Sequence, residues 1–313
     1  MNVHHPVLLN EVINMLACAP GRTVVDGTVG AGGHAKKILE ALQPGGRLIG
    51  IDRDPEQLRR AQELFRDVRS GVMLVHDSYE HLPEVLRRLH VLHVDGVLLD
   101  LGVARQQLDD TTRGIGIHPE ARLDLRFNPE DDRPTAAALL ATASFEKLED
   151  IFRRFGEIER PKALARAVIR AREQHPIETI TDLEHVATPI MGHRRTHHPL
   201  TLVLQALRIA VNDELGALQR LLPQLLDFLS PTGRIVILTY HSLEDRIVKQ
   251  FFVQESKACL CPPEIPVCRC DHHQRLQIIN KKPIIPTIEE IQQFPTARSA
   301  KLRAAQRWTI SPI

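Results

Sequence analysis

The feature that most constrains this chain is the alternation of short apolar runs with helical patterns across its first hundred residues. Arg22–Asp26, Leu48–Asp52, Val72–Val75 and Val94–Asp100 are rich in Val, Leu and Ile, and each reads as a strand. Between them, Ala35–Leu42 and Pro55–Phe65 read as helices. Short, continuously apolar strands fit a parallel sheet covered on both faces, with the helices as right-handed crossovers. The expected class is α/β.

The pattern changes further along. From about Thr111 to Asn212 no comparable strand appears, only helical stretches broken by Pro and Gly. Leu200, Val203, Leu204, Leu207 and Val211 continue at helical spacing as Leu215, Leu218, Leu222, Leu225 and Leu229. That is too long for one globular helix, so a break is expected near Asn212–Leu215. Ser230-Pro-Thr-Gly-Arg234 reads as a helix stop and turn, and Arg234–Tyr240 as a buried strand. Gln277–Asn280 and the segment ending Arg307-Trp308-Thr309-Ile310 supply further strand candidates. The chain therefore reads as one α/β domain, residues 1–110 and 213–313, interrupted by an inserted all-helical domain, residues 111–212.

Composition removes several partners. The 40 Lys and Arg balance 39 Asp and Glu, so bulk charge announces no nucleic acid and any basic surface must be local. Aromatic residues are 4%, too few for a broad base-stacking platform. No stretch has the apolar length of a membrane span, and the first residues carry no basic, apolar leader pattern. Four of the five cysteines lie between positions 259 and 270, a spacing unlike a disulfide framework. A reduced, cytoplasmic protein is expected.

The glycine-rich stretch Asp26-Gly-Thr-Val-Gly-Ala-Gly-Gly-His34 follows a strand and opens a helix, where backbone without Cβ atoms can approach a ligand. Asp52 ends the second strand, 22 residues after Gly30, where a carboxylate can accept both hydroxyls of a ribose. Asp100 ends the fourth strand at the same carboxyl edge. Each Asp alone is also a good turn former or helix cap; three at strand ends favour one site. The turn nearly fits the dinucleotide pattern, which keeps NAD(P) as a rival. A pyrophosphate is poorly served by Asp26 beside the turn, whereas the cationic S-adenosylmethionine suits a carboxylate-edged pocket. No Gly-Lys-Ser/Thr triplet follows, which argues against a P-loop.

Six blocks then fall in one order. They are His5-Pro-Val-Leu-Leu-Asn-Glu-Val12, the glycine turn, Asp95-Gly-Val-Leu-Leu-Asp-Leu-Gly-Val103, Gln205-Ala-Leu-Arg-Ile-Ala-Val-Asn-Asp-Glu-Leu215, His241-Ser-Leu-Glu-Asp-Arg-Ile-Val-Lys249 and Ala297-Arg-Ser-Ala-Lys-Leu-Arg303. Together they strongly resemble the bacterial small-subunit ribosomal RNA (cytosine-N4)-methyltransferase family, known as MraW or RsmH. The resemblance implies a class I S-adenosylmethionine-dependent methyltransferase sheet, Rossmann-like, with an inserted helical domain. It implies cofactor contacts at Gly32, Gly33, His34, Asp52, Tyr79, Asp100 and Gln107. The implied reaction is methylation of N4 of a decoding-centre cytosine in 16S rRNA, within the small ribosomal subunit or an assembly intermediate.

The chain departs from the family's usual wording on the substrate side. Ala104-Arg105 stands for Ser-Ser, Gly114-Ile-Gly-Ile117 for Gly-Phe-Ser-Phe, and Phe294-Pro-Thr-Ala-Arg298 for Asn-Pro-Arg-Ala-Arg. Pro199-Leu-Thr-Leu202 lacks the arginine of Pro-Ala-Thr-Arg. The alternative function is thus a diverged homologue that binds S-adenosylmethionine and RNA with weak or altered target activity. A DNA amino-methyltransferase would carry Asp/Asn/Ser-Pro-Pro-aromatic at the fourth strand, and Asp100-Leu-Gly-Val103 lacks it.

A cytosine N4 amine is a poor nucleophile, because its lone pair is delocalised into the ring. A site must align it and accept its hydrogen bonds. Asp100 is the first candidate for that acceptor, with Asp124 and His241 as secondary ones. His241 has a structural reading as well, since Ser242-Leu-Glu-Asp245 resembles a helix cap.

Local charge offers two basic patches, residues 151–175 and 271–313, each with a formal excess of four positive charges, seven basic against three acidic residues. Each is also compatible with a solvated face. A third basic edge is His193-Arg-Arg-Thr-His-His198. Finally, Cys259-Leu-Cys261 and Cys268-Arg-Cys270 form two Cys-x-Cys pairs. Four thiolates can surround Zn²⁺ tetrahedrally, although the usual spacing is Cys-x2-Cys. A reduced, cysteine-rich surface loop is the other reading.

Overall fold

A computed structural model describes residues 6–68, 70–192, 198–262 and 267–309. The chain divides into two compact units, Met1–Gly102 with Leu215–Ile313, and Val103–Glu214.

The first unit begins with α1 (Leu9–Leu16), β1 (Thr23–Asp26), α2 (Gly33–Leu42), β2 (Arg47–Asp52), α3 (Pro55–Leu64), β3 (Val72–His76), α4 (Leu82–Arg88) and β4 (Val94–Asp100). The second unit contains α5 (Arg105–Asp109), α6 (Ala136–Thr142), α7 (Phe145–Arg154), α8 (Pro161–Arg172), α9 (Ile180–Met191) and α10 (Thr201–Asn212). The chain continues through α11 (Glu214–Phe228), β5 (Leu229–Thr239), α12 (Ser242–Glu255), β6 (Leu276–Ile278), α13 (Ile288–Gln293) and β7 (Lys301–Arg307).

The seven strands form one sheet in the order β3-β2-β1-β4-β5-β7-β6. Strands β1 to β5 pair in parallel, and β7 pairs antiparallel with both β5 and β6. Alternating side chains on each strand point to opposite faces, so neighbouring apolar residues feed different cores. Val25, Ile49, Val97, Leu99 and Ile237 pack on one face with Leu82, Leu86, Leu222 and Phe252 of α4, α11 and α12. Val24, Leu48, Leu98, Val236 and Leu238 pack on the other with Val12, Ile38 and Leu58 of α1, α2 and α3. This two-sided burial is why the strands read as continuous apolar runs. The strand order reverses between β1 and β4, and such a switch point opens a crevice at the carboxyl ends of the strands.

Three elements differ from expectation. The turn expected at residues 230–233 is absorbed into β5, which starts at Leu229 beside Val94, then bulges before Arg234 pairs with Gly96. The strand placed at the end of the chain lies earlier, at Lys301–Arg307. The strand expected at Gln277–Asn280 is β6, shifted one residue earlier at its start and ending two residues sooner. Ile310 lies outside the described residues.

The long apolar helical pattern does break where its length demanded. Asp213 takes φ +53°, the left-handed region, and separates α10 from α11. Just before it, Asn212 is 1% exposed and organises the second unit from inside. Its Oδ1 accepts from Phe127 N–H at 2.9 Å, and its Nδ2 donates to Leu125 O at 2.7 Å and Arg208 O at 2.9 Å. The held segment includes Leu125 at φ +62°, a strained value for a leucine. Around it, Leu148, Phe152, Leu164, Val168, Leu183 and Leu207 form the unit's own core. Replacing Asn212→Ala removes the bonds to the part-buried Phe127 N–H and to the buried Leu125 carbonyl. The expected loss is about 2–4 kcal/mol in denaturant unfolding, at roughly 1–3 kcal/mol for each side-chain bond lost from a buried or part-buried group. A loss below ~0.5 kcal/mol would remove Asn212 from this role.

Candidate active site

The chain leaves β1 at Asp26 and turns through residues 27–32 before α2. Backbone geometry there requires glycine at two positions for different reasons. A Cβ on Gly27 would lie 2.6 Å from Leu99 Cδ2, against the core. Gly32 has φ +91°, and a Cβ there would lie 2.7 Å from Leu64 Cδ2. The turn is fastened from both sides. Gly30 N–H donates to Asp52 Oδ2 at 2.8 Å, and Thr28 Oγ1 accepts Asp100 N–H at 2.6 Å. The turn thus joins the ends of β1, β2 and β4.

Three of the expected residues, Asp26, Asp52 and Asp100, therefore stand at the carboxyl ends of adjacent strands. Asp52 accepts from Gly30 N–H and, through Oδ1, from Asp54 N–H at 2.9 Å. Asp54 in turn caps α3 by accepting Glu56 N–H at 3.0 Å. Asp26 is 1% exposed, and its Oδ1 accepts from Thr28 N–H at 3.2 Å. Burial pushes its carboxyl up to about 8, with the charges of Asp100 and Asp52 adding to the rise. Burial likewise raises Asp52 to about 6, against the pull of its two backbone donors. A crevice that holds carboxylates at this cost favours a positively charged ligand.

Asp100 is flanked by two aromatic rings, and one of them bonds it. Tyr240, directly after β5, donates its hydroxyl to Asp100 Oδ1 at 2.8 Å. His34, in the first turn of α2, places Nδ1 3.5 Å from Asp100 Oδ2. Its Nε2 lies 2.9 Å from Val7 O, an acceptor, so that nitrogen is the donor. Burial and the Asp100 charge hold the Tyr240 phenol well above its ordinary value, so it remains a donor. Gly102 makes room for this ring, since a Cβ there would lie 2.8 Å from Tyr240 Cδ2. That explains the glycine two residues after Asp100.

The remaining expected residues are distributed. Gly33 opens α2, and Tyr79 begins a short 3₁₀ turn after β3. Gln107 and Asp124 belong to the second unit. Gln107 is buried and its Oε1 accepts Ala104 N–H at 2.8 Å. Both Asp124 oxygens are bound by Arg126, at 2.7 and 2.8 Å. His241 is the N-cap of α12, where its Nδ1 accepts Glu244 N–H at 3.4 Å and Nε2 lies 3.1 Å from Glu244 Oε1. The sequence reasoning missed Tyr240 and Thr28. Tyr240 had a readable signal, a polar aromatic at the end of a buried strand next to the one ending in Asp100.

The profile of the MraW methylase family matches residues 1–308. The chain belongs to that family. Its sheet is the mixed, seven-stranded sheet of an α/β protein. Ribosomal RNA small subunit methyltransferase H of Thermomicrobium roseum is 43% identical over 305 residues, covering 97% of this chain and 93% of that one. The protein of the same name from Heliobacterium modesticaldum is 42% identical over 312 residues, covering 98% and 99%. That from Heliobacterium mobile is 44% identical over 312 residues, covering 98% and 100%.

The basic patches of this MraW-family chain are smaller than their sequence count. In residues 151–175, Arg153 and Arg154 both bind Asp150, Arg166 lies over the Phe145 ring, and Arg172 donates to Leu140 O and Ala143 O at the end of α6. Arg160, Lys162 and Arg170 are exposed. In residues 271–313, Arg275 binds Glu255, Lys301 and Arg303 bind Asp245, and Arg307 donates to Leu226 O and Leu229 O. Lys281, Lys282 and Arg298 are exposed. Of the third basic edge, residues 193–197 lie outside the described residues. Among the described residues, no helix is long and apolar enough to cross a membrane.

The raised Asp26 carboxyl makes a pH prediction. A carboxyl with a folded value above its unfolded one binds its proton more tightly in the folded chain. The contribution of Asp26 to the stability of the ligand-free protein should therefore fall as pH rises from 3.8 to about 8. Asp26→Asn keeps an acceptor for Thr28 N–H and removes the titration. Its melting temperature should exceed that of the parent near the upper end of this window, and the pH slope should flatten. Parallel melting curves for the two proteins across the window would contradict the assignment.

Proposed function

We propose that this protein is an S-adenosylmethionine-dependent methyltransferase acting on N4 of a decoding-centre cytosine of 16S rRNA, in the small ribosomal subunit or an assembly intermediate. The observation that carries the reading is the convergence of Asp26, Asp52 and Asp100 around a glycine turn at the sheet's switch point, in a chain of the MraW methylase family. The names of its relatives, ribosomal RNA small subunit methyltransferase H, support the substrate class.

The residues present fit the cofactor. S-adenosylmethionine carries an ammonium, a sulfonium, a carboxylate and a ribose. A cation beside Asp26 and Asp100 relieves the electrostatic cost that raises the Asp26 carboxyl. Asp52, whose oxygens retain further lone pairs, can accept ribose hydroxyls. The amino-terminal end of α2, opened by Gly32 and Gly33, favours the carboxylate. Tyr79 offers a ring face for the adenine. When bound, the cofactor supplies an electrophilic methyl group whose departure leaves a neutral thioether.

The protein's own contribution is to the amine. As N4 loses conjugation with the ring, its hydrogens become stronger donors and one proton must leave. Asp100 is the acceptor in this reading. Tyr240 donates to one oxygen and so fixes the carboxylate, leaving Oδ2 toward His34. Asp124 is engaged by Arg126 and His241 by the start of α12, which supports giving neither the acceptor role. No covalent nucleophile is needed. Exposed cations in residues 151–175 and 271–313 would meet phosphates and position the RNA, while the pocket selects the base.

The decisive experiment incubates the purified protein and S-adenosylmethionine with small subunits from cells lacking the gene, then analyses rRNA digests by mass spectrometry. N4-methylcytidine at one decoding-centre position is the expected product; methyl groups on another atom or base would refute the reading. Asp100→Asn should lower kcat by roughly 10²–10³, the range for loss of one aimed electrostatic group, and Tyr240→Phe by less, with the cofactor KM little changed by the latter. Equal rates for Asp100→Asn and the parent would remove Asp100 as acceptor. Small subunits should also be preferred over a short free hairpin, with binding that weakens as salt rises through counterion release. Equal methylation of hairpin and subunit would contradict recognition of a folded particle.

A further inference from the structure

Residues 256–275 connect α12 to β6. Among the described residues of this connection there is no helix, no strand and no buried side chain. A connection this long without a core of its own ordinarily needs another means of order. Its base is closed by Arg275, whose Nε donates to Glu255 Oε2 at 2.6 Å and whose N–H donates to Glu255 O at 2.9 Å. Beyond that base and the approach of His272 Nε2 to Gln254 O at 3.2 Å, what draws the segment together is sulfur.

The four thiols of Cys259, Cys261, Cys268 and Cys270 all lie within 4.8 Å of one another. Cys259 Sγ is 3.3 Å from Cys268 Sγ and 3.6 Å from Cys270 Sγ, and those two are 3.6 Å apart. Sulfurs bound tetrahedrally at about 2.3 Å from Zn²⁺ are separated by roughly 3.8 Å, close to this spacing. Two disulfides would instead sort the sulfurs into pairs at about 2.05 Å. The triangle of Cys259, Cys268 and Cys270 has no such pairing.

The surrounding backbone also suits thiolates. Cys261 N–H points to Cys259 Sγ at 3.3 Å, Leu260 N–H to Cys270 Sγ at 3.4 Å, and Arg269 N–H to Cys261 Sγ at 3.4 Å. Amide donors of this kind orient and stabilise metal-bound sulfur. A closed set of four soft ligands, with no carboxylate and no open position, selects Zn²⁺ in a structural role and offers nothing for methyl transfer.

We propose that Cys259, Cys261, Cys268 and Cys270 form a structural zinc site that orders the connection between α12 and β6. Binding exchanges four thiol protons for one Zn²⁺ and involves no redox step, so the site belongs to a reducing environment. It makes the connection's order depend on metal supply, while the carboxylate crevice at the sheet edge contains none of its ligands.

The test begins with full-length protein purified without chelator. Elemental analysis should find about one zinc per chain, with the four thiols unreactive until a mercurial displaces the metal. Cys268→Ser should lose the zinc, and Cys18→Ser, which lies apart from the cluster, should keep it. Should Cys268→Ser fail to fold, cobalt exchange into the parent protein reads the site directly through thiolate charge-transfer bands and tetrahedral d–d absorption. Removing the metal should expose residues 256–275 to limited proteolysis. Zinc well below one equivalent with four freely titrating thiols, or a mass showing two disulfides, would overturn the site. Identical proteolysis with and without metal would overturn its ordering role.

Discussion

The pair of backbone amides held by Asp52 is the contact on which the active-site geometry rests. Gly30 N–H on one side and Asp54 N–H on the other fix this carboxylate at the end of β2. Through Gly30 it sets the path of the glycine turn, and through Asp54 it sets the start of α3. Thr28 in the same turn receives Asp100 N–H, so the end of β4 is fixed by the loop that Asp52 holds. Three strand ends, two helix starts and three carboxylates therefore form one construction. The glycines allow the turn, but the carboxylate gives it a single shape.

Bringing three acidic side chains to one sheet edge opposes folding, because burial disfavours the charged forms of Asp26 and Asp52, and Asp26 is further opposed by its two acidic neighbours. The protein bears this through backbone donors to Asp26 and Asp52 and through the Tyr240 hydroxyl on Asp100. A cationic ligand removes part of the repulsion that remains. Ligand affinity and the instability of the ligand-free crevice thus have one electrostatic origin, and a substitution that relieves the second weakens the first.

The inner half of the sheet was largely legible, because burial on both faces keeps the middle positions of β1, β2 and β4 apolar, whereas the edge strand β3 is half-buried to exposed. The ends of β4 and the break at Asp213 follow from pattern and length alone. Residues 230–233 were misread as a free turn, since Pro231 and Gly233 mark a bulge inside β5 as well as they mark a loop. Asp52 and Asp100 were readable because open sheets bind ligands at strand carboxyl ends. Tyr240 was not singled out, because its role depends on β5 lying beside β4, a pairing of positions 140 residues apart. The ring also needs the missing side chain of Gly102, which becomes meaningful once that pairing is known.

Charge was the least legible property. A count along the sequence treats each arginine as surface charge, whereas the fold uses many as internal donors. Arg172 closes the end of α6, Arg307 holds carbonyls at the end of α11, and Arg303 is paired with Asp245 with 7% of its surface exposed. Guanidinium groups suit this work because five donors in a fixed plane can satisfy several carbonyls at once. Lysines do so less well and stay in water, as Lys162, Lys281 and Lys282 do. Among the described residues the exposed cationic surface of these two segments is therefore sparser than the sequence count implies, and under the proposed function it predicts few phosphate contacts from them and a correspondingly shallow salt dependence. In the proposed reaction, such a surface would leave selection of the target base mainly to the crevice at the strand ends and to the shape of the folded RNA, rather than to broad electrostatic attraction.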